Sequence, residues 1–261
     1  MEIVKRPFVL SGGGCRGFAH LGVVKALQEH GIYPSEISGT SAGAIAGAFL
    51  AQGYTPDEIK DIFIKHMGIS LFAWNGFNLG FMSMKRIQVF IRSNLRHTTF
   101  EELKIPLYVT ASNFETGKQA IFTTGDVVEP VIAASSIPAM FPPTFINGVP
   151  YVDGGVSNNL PFEPFADRRK EMVCVYLNPV KLLDPRKETM MEIIDRAVHL
   201  SFRKTVDASA EGCHMYIEPP ELANYSLFDI RKVAEIMDVG YRYTKEFLKK
   251  NEANKAESIK I

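Results

Sequence analysis

The sequence predicts an α/β protein built around a mostly parallel sheet. Short runs of β-branched and aromatic residues alternate along the chain with longer segments of helical periodicity, which is the pattern of βα units. Glycine-rich turns separate the first two predicted strands from the helices that follow them. Because the crossover helices of a parallel sheet pack on its faces, we expect helices on both sides of it.

Length and composition are those of one folded domain. The chain has 261 residues, of which 46% are hydrophobic and 22% charged, close to the average of globular domains. We expect a single domain over residues 1–250 and a frayed tail rich in Lys, Glu and Asn over residues 251–261. Basic and acidic residues balance at 29 each, which leaves no excess positive charge for phosphates and argues against a nucleic-acid partner.

The cysteines and the N-terminal residues indicate a reducing compartment. The chain has three cysteines, which cannot all pair, and none has the spacing of a zinc ligand. The apolar run after Lys5 and Arg6 is too short for the hydrophobic region of a signal peptide. We therefore expect a cytoplasmic protein, peripheral to a membrane at most, that binds no metal.

Two βα units begin the chain. In the first, Phe8–Leu10 is predicted as a buried strand, residues 12–16 as a turn and residues 17–30 as a helix. In the second, residues 37–40 form a short strand and residues 41–52 a helix of small side chains. Since the carboxyl ends of parallel strands lie at one edge of a sheet, we expect the two turns to be neighbours.

The remaining elements alternate in the same way. Thr55 precedes Pro56 and two acidic residues, which predicts a helix that starts there and runs to about His66. The other predicted elements are a helix over 83–96, strands over 107–111, 119–123 and 149–152, a strand over 172–177, a helix over 189–210, a strand over 214–218 and a closing helix over 230–250. The pair Asn147-Gly148 predicts a hairpin turn before the strand at 149.

The first turn carries the motif GGGCRG, residues 12–17, which fits GxGxxG between a strand and a helix. A dinucleotide-binding fold also needs an acidic residue about twenty positions later at the end of the second strand. Glu36 has that spacing but precedes the predicted strand. Because N–H groups that converge at a helix start stabilise any anion, the loop fits a nucleotide, a transient oxyanion or a tight turn without ligand.

The second turn has the pattern of a nucleophile elbow. Gly39-Thr40-Ser41-Ala42-Gly43 is a GxSxG between a short strand and a helix, a context in which the serine hydroxyl stands above the sheet edge. The alternative role of Ser41 is that of a helix N-cap. Two glycine turns in consecutive βα units favour the catalytic interpretation, because both turns then face the same edge of the sheet.

A serine nucleophile needs a proton acceptor. Asp153 ends a predicted strand and precedes two glycines, which leaves room around its carboxyl group. His199 and His214 follow it in the order of a Ser-Asp-His triad, so the order leaves a triad open. Each of them lies within a predicted helix or strand, where a packed histidine is more common. His20, on the first helix, is expected to pack or to hydrogen-bond locally.

Four segments together resemble the patatin-like phospholipases, particularly the compact bacterial members. In the order in which the family has them, they are LSGGGCRGFAHLGVVKAL, SGTSAGAIAGAFLAQG, AASSIPAMFPP and YVDGGVSNNLP, and they span about residues 7–165. The resemblance implies a three-layer α/β/α fold with a mostly parallel central sheet. It also implies that the chain is a phospholipase A, a lysophospholipase or a lipid esterase that uses a Ser-Asp dyad without a histidine and forms an acyl-enzyme intermediate.

The resemblance assigns roles to residues of this sequence. Ser41 matches the nucleophile and Asp153 the base. The glycine-rich oxyanion hole corresponds to Gly12, Gly13, Gly14, Cys15, Arg16 and Gly17, the nucleophile elbow to Gly39 and Gly43, and the DGG motif to Asp153 with Gly154 and Gly155. Cys15 fills the variable position, and its backbone N–H rather than its thiol is expected to serve the loop. This chemistry requires a lipid or ester substrate and no cofactor or metal.

Three other functions remain as alternatives. Acyltransferases of related architecture also carry a GxSxG, but they place a histidine where Thr40 stands in this chain. A nucleotide-binding module would use the glycine loop for phosphates. A regulatory protein could keep the fold without turnover.

The segment Ile69–Met84 has no charged side chain and is rich in aromatic and aliphatic residues. Its glycines and asparagines argue against a membrane-spanning helix. We expect it to form either a lid that contacts a membrane or micelle surface, or core beneath a loop.

Overall fold

The computed structural model describes residues 3–67, 84–180 and 190–258. These residues form one sheet with helices packed around it. Its eight strands are β1 (Val4–Leu10), β2 (Ile32–Gly39), β3 (Leu107–Asn113), β4 (Gln119–Phe122), β5 (Thr144–Ile146), β6 (Val149–Asp153), β7 (Val173–Val175) and β8 (Met215–Ile217). They run in the order β5-β6-β3-β2-β1-β7-β8, and β4 pairs with β3 beside this series. The predicted segment Ile69–Met84 lies outside the described residues except for Met84.

The strand pairing is parallel through the middle of the sheet. Strand β1 pairs in parallel with β2 and β7, β2 with β3, and β7 with β8. The pairs β3–β4, β3–β6 and β5–β6 are antiparallel. The prediction of a mostly parallel sheet is confirmed, and its antiparallel part holds the predicted hairpin at Asn147-Gly148, where both residues have positive φ angles of 51° and 80°.

Helices cover both faces of the sheet. They are α1 (Phe18–Glu29), α2 (Ala42–Ala51), α3 (Pro56–Met67), α4 (Lys85–Asn94), α5 (Val128–Ala134), α6 (Met190–Ala210) and α7 (Val233–Ser258). On one face Phe8 and Leu10 pack with side chains from α1, α2 and α7. On the other face Val9 packs with Phe165 and with Val206 of α6. The predicted α/β/α layers are therefore confirmed.

The closing helix α7 packs directly on α1. A Cβ atom on Gly22 would overlap the carbonyl oxygen of Met237, and one on Gly240 would overlap that of Ala19. The two backbones therefore approach as closely as glycine allows. Helix α7 continues to Ser258. None of the described helices is long and apolar enough to cross a membrane.

The differences from the prediction that matter most concern β2 and α5. Strand β2 begins at Ile32, because parallel pairing with β1 continues through its polar residues and Pro34. Glu36 therefore lies inside the strand, where it forms an ion pair with Arg168 at 2.8 Å. The short helix α5 was not predicted. Asp126 caps it by accepting hydrogen bonds from the N–H groups of its first two residues at 2.8 and 2.9 Å.

Candidate active site

Ser41 stands at the sharp turn between β2 and α2. Its backbone has φ 50° and ψ −126°, a conformation that residues with a side chain rarely adopt. Within the described residues its hydroxyl makes no capping bond to the start of α2. The capping role considered from the sequence is therefore not the one observed.

The glycines of this turn are required by close backbone contacts. A Cβ atom on Gly39 would lie 2.6 Å from the carbonyl oxygen of Gly43. One on Gly43 would overlap the carbonyl oxygen of Leu10, at the end of β1. The elbow thus packs directly against the start of the glycine loop. This agrees with the sequence prediction that the two turns are neighbours, since they follow adjacent parallel strands.

Asp153 reaches the same edge from the antiparallel side of the sheet. It is the last residue of β6 and pairs with Ala111 of β3. The residue is buried, with 7% of its surface exposed, and Oδ1 accepts a hydrogen bond from the Gly155 N–H at 2.8 Å. Burial raises the pKa of Asp153 from 3.8 to about 6, although the Ser41 hydroxyl and the Gly155 N–H both favour the charged form.

The DGG turn packs on the elbow. A Cβ atom on Gly154 would overlap both the Thr40 hydroxyl oxygen and the carbonyl oxygen of Thr110. The Thr40 hydroxyl itself donates a hydrogen bond to this Thr110 carbonyl at 3.0 Å. A side chain at position 154 would therefore separate the two turns that carry Ser41 and Asp153.

The AASSIPAMFPP segment joins these two residues through their backbones. The Ser41 N–H donates to the carbonyl of Ala134 at 3.0 Å, and the Asp153 N–H donates to the carbonyl of Ser136 at 2.9 Å. One short segment at the C-terminal end of α5 thus holds both backbones in place. This explains structurally why the segment accompanies the two motifs.

The glycine loop lies beside Ser41. A Cβ atom on Gly12 would lie 3.0 Å from the Cβ atom of Ser41. Gly13 leads into a 3₁₀ turn over Gly14–Gly17, where Gly14 has φ 54°. In the described part of the chain, the N–H groups of Gly13 and Gly14 have no protein acceptor. Two donors therefore remain for an anion near Ser41.

The other predicted residues of the loop have structural partners. The Gly12 N–H donates to the side-chain oxygen of Asn159 at 3.0 Å, and Gly17 packs directly against Ala42. The Cys15 N–H donates to the carbonyl of Leu227 at 2.9 Å, so the expectation that this N–H serves an oxyanion is corrected. The reason is that a segment distant in sequence covers the loop, which no local pattern indicates.

Arg16 binds away from the candidate catalytic pair. Its guanidinium group donates to the side-chain oxygen of Asn178 at 3.1 Å and to the carbonyl of Tyr225 at 2.8 Å. The side chain is buried. Arg16 therefore ties the glycine loop to the C-terminal third of the chain.

The histidines lie apart from this pair or have other partners. His20 is fully buried, its Nε2 bonds to the Ser11 carbonyl at 2.8 Å, and burial lowers its pKa to about 4. His214 precedes β8, whose start is at the opposite edge of the sheet and three strand spacings, about 14 Å, from β2. A triad through His214 is therefore incompatible with the fold. His199 belongs to α6, and its side chain lies outside the described part of the structure.

Two buried asparagines of the site were not singled out from the sequence. Asn159 binds the Gly12 N–H, and Asn178 donates to the Gly12 carbonyl at 2.8 Å. Asn178 follows a predicted buried strand and precedes a proline. A polar residue at the carboxyl end of a parallel strand is a usable signal, because ligand sites form at that edge.

Comparison with known proteins gives a consistent family. The model of the patatin-like phospholipase family matches residues 8–166. Lysophospholipase NTE1 of Cryptococcus neoformans is 27% identical in an alignment 275 residues long, gaps included, which covers 93% of this chain and 17% of that protein. The corresponding protein of Kluyveromyces lactis is 28% identical and covers 92% of this chain and 19% of its own length. The chain thus spans less than a fifth of these relatives.

Bacterial relatives and solved structures add to this comparison. An uncharacterized NTE family protein of Mycobacterium tuberculosis is 33% identical over 184 residues, 65% of this chain and 30% of that protein. VipD from Legionella pneumophila superposes with a TM-score of 0.57 at 17% identity, covering 94% of this chain and 67% of its own. ExoU in complex with SpcU, from Pseudomonas aeruginosa, has a TM-score of 0.50 at 16% identity, with 95% and 53% covered. These structures share the fold.

Proposed function

Because the chain belongs to the patatin-like phospholipase family, we propose that it hydrolyses a lipid acyl ester with Ser41 as nucleophile and Asp153 as base. The observation that carries the proposal is the juxtaposition of a strained serine, a buried carboxyl group that interacts with its hydroxyl, and the N–H groups of Gly13 and Gly14, which have no acceptor among the residues that the structure describes. These are the three parts that acyl transfer through an alcohol requires.

The reaction starts with the transfer of a proton. Asp153 accepts the proton of the Ser41 hydroxyl as the serine oxygen attacks the ester carbonyl carbon. The carbonyl oxygen becomes a tetrahedral oxyanion, and the N–H groups of Gly13 and Gly14 stabilise its charge. When the intermediate collapses, the bond to the leaving alcohol breaks, Asp153 returns the proton to that alcohol, and the acyl group remains on Ser41.

Water completes the cycle by the same steps in reverse order. Asp153 takes a proton from a water molecule, whose oxygen attacks the acyl carbon of the acyl-enzyme. The second oxyanion is held by the same two N–H groups, and the Ser41 oxygen leaves with the proton from Asp153. A carboxylate of ordinary basicity is a weak proton acceptor, so the raised pKa of Asp153 increases its strength as a base.

A lysophospholipid is the substrate class that we propose, together with related phospholipids and lipid esters. The support is the name of the relatives, which are lysophospholipases. Contact with a membrane or micelle through Ile69–Met84 stays a prediction. The nucleotide-binding alternative has less support, since Glu36 is engaged by Arg168 and the Gly12 N–H by Asn159.

Active-site labelling tests the proposal directly. We expect a fluorophosphonate to add once to the protein, with the mass increase on the peptide that contains Ser41, because the tetrahedral phosphonate resembles the oxyanion intermediate. Ser41→Ala is the control and should remain unlabelled. Labelling of a different serine, or equal labelling of the two proteins, would contradict the assignment of Ser41.

The pH dependence follows from the ionisation of Asp153. We expect kcat/KM for p-nitrophenyl butyrate to rise with pH, to be half-maximal at about pH 6 and to level off above it, because only the ionised carboxyl group accepts a proton. Below this value the rate should fall about tenfold per pH unit. Circular dichroism at each pH controls for unfolding. A rate that stays constant between pH 5 and 7 would contradict Asp153 as the base.

A further inference from the structure

The carbonyl group of Gly12 has two buried donors. The amide nitrogen of Asn178 donates to it at 2.8 Å, and the hydroxyl of Ser11 donates to it at 3.0 Å. Ser11 is itself fixed, because its hydroxyl oxygen accepts the N–H of Leu177 at 3.1 Å. Both donors thus connect the glycine loop to the chain that leaves β7.

Fixing this carbonyl group also fixes the next N–H group. The carbonyl of Gly12 and the N–H of Gly13 belong to one planar trans peptide unit, in which they point in opposite directions. Glycines on both sides of the unit would otherwise let it rotate, because glycine has the greatest backbone freedom. The hydrogen bond from Asn178 therefore directs the Gly13 N–H away from Asn178.

Asn178 is held in the orientation that this role requires. Its side-chain oxygen accepts a hydrogen bond from Arg16 at 3.1 Å. Since a guanidinium group only donates, the oxygen must face Arg16 and the amide NH₂ must face the Gly12 carbonyl. The residue is 1% exposed, so water does not compete for these bonds. The arginine of the GGGCRG motif is therefore in direct contact with the residue that binds the Gly12 carbonyl.

We propose that Asn178 is a positioning residue that aims the Gly13 N–H at the oxyanion of the reaction. The inference rests on the proposed function and extends it to a residue beyond the family match, which ends at 166. Asn178 acts through the Gly12 carbonyl and does not touch the substrate. Arg16 orients the Asn178 amide, Asn178 holds the Gly12 carbonyl, and this carbonyl fixes the N–H of Gly13.

Asn178→Asp is the variant that tests this role. The carboxylate keeps the size of the side chain and the contact with Arg16, but it replaces the NH₂ donor by an acceptor that repels the Gly12 carbonyl. We expect kcat for p-nitrophenyl butyrate to fall about 10- to 100-fold while KM changes less than about threefold, because the lost interaction belongs to the transition state. The rate of fluorophosphonate labelling should fall by a similar factor.

Gln52→Glu is the matched control. Gln52 is a fully buried amide at the far end of α2, about 16 Å from Ser41, and its NH₂ group donates to the His97 carbonyl at 2.8 Å. The change therefore also removes one buried amide donor, but it leaves the glycine loop untouched. We expect a lower melting temperature and an unchanged kcat. A second variant, Asn178→Ser, is used if Asn178→Asp does not fold. The serine side chain is shorter and has one hydroxyl group, so it does not bridge Arg16 and the Gly12 carbonyl as the amide does, and kcat should again fall about tenfold or more.

The outcomes separate the inference from the proposed function. Suppose that Ser41→Ala is inactive. If Asn178→Asp folds and keeps the wild-type kcat, or if Asn178→Ser does so in its place, the inference is overturned and the proposed function stands. If Gln52→Glu loses as much kcat as the Asn178 variant, the effect is one of general stability and the inference is overturned as well. If Ser41→Ala retains turnover, the proposed function itself fails.

Discussion

Ser41→Ala is expected to lower kcat for ester hydrolysis by about 10⁴- to 10⁶-fold, the size of the loss when a catalytic serine is removed. The variant lacks the oxygen that would carry the acyl group. Cys15, a nucleophile in the neighbouring loop, does not replace it, because burial and the nearby Asp229 raise the pKa of its thiol to about 12 and keep it protonated. Hydrolysis of p-nitrophenyl butyrate and of a lysophospholipid measures the loss.

Ser41→Gly separates this loss from any structural effect. Glycine adopts the φ angle of 50° at position 41 without steric cost, so this variant should be as inactive as Ser41→Ala but more stable than the wild type by about 1 kcal/mol. Urea unfolding measures the stability. Turnover within tenfold of the wild type in either folded variant would remove Ser41 from the mechanism.

Asp153→Asn is expected to lower the activity and, at pH 8, to raise the stability of the folded protein. Without a base for the Ser41 proton, kcat should fall about 10²- to 10⁴-fold. The amide is close in size to the carboxyl group, and its oxygen can still accept the hydrogen bond from the Gly155 N–H. We therefore expect the fold to be retained, and the loss of activity to be chemical.

The stability effect depends on pH with a definite sign. Because burial raises the pKa of Asp153 in the folded protein from 3.8 to about 6, the folded state holds its proton more tightly than the unfolded state does. The wild type then loses stability as the pH rises from about 4 to 6, and above this window the ionised carboxyl group costs about 3 kcal/mol. Asp153→Asn should recover this amount at pH 8 and none of it at pH 4.

Urea unfolding of the wild type and of Asp153→Asn at the two pH values measures the difference. A stability difference that is the same at pH 4 and pH 8 would show that the carboxyl group is not shielded as described. The expected result would mean that burial of Asp153 makes the carboxylate more basic and at the same time lowers the stability of the folded protein. Such a trade-off between activity and stability is common at active sites.

The local parts of the site follow from the sequence. The GxSxG and GxGxxG turns depend on residues within six positions of one another, so their glycines reveal both turns and their place between strand and helix. Alternating strand and helix patterns predicted the mostly parallel sheet for the same reason. The start of β2 and the whole of α5 were missed, since Pro34 and the shortness of α5 hide their periodicity.

The sequence by itself determined the fold class, the family resemblance and the candidate roles of Ser41 and Asp153, because motif spacing and periodicity are short-range properties. Only the tertiary structure decided which N–H groups of the glycine loop lack an acceptor within residues 3–67, 84–180 and 190–258, that Asn159 and Asn178 bind Gly12, and that His214 lies at the far edge. The tertiary structure also buries Asp153, and this burial raises its pKa. Hydrogen-bond partners and burial depend on segments that are distant in the chain and meet only when the sheet assembles.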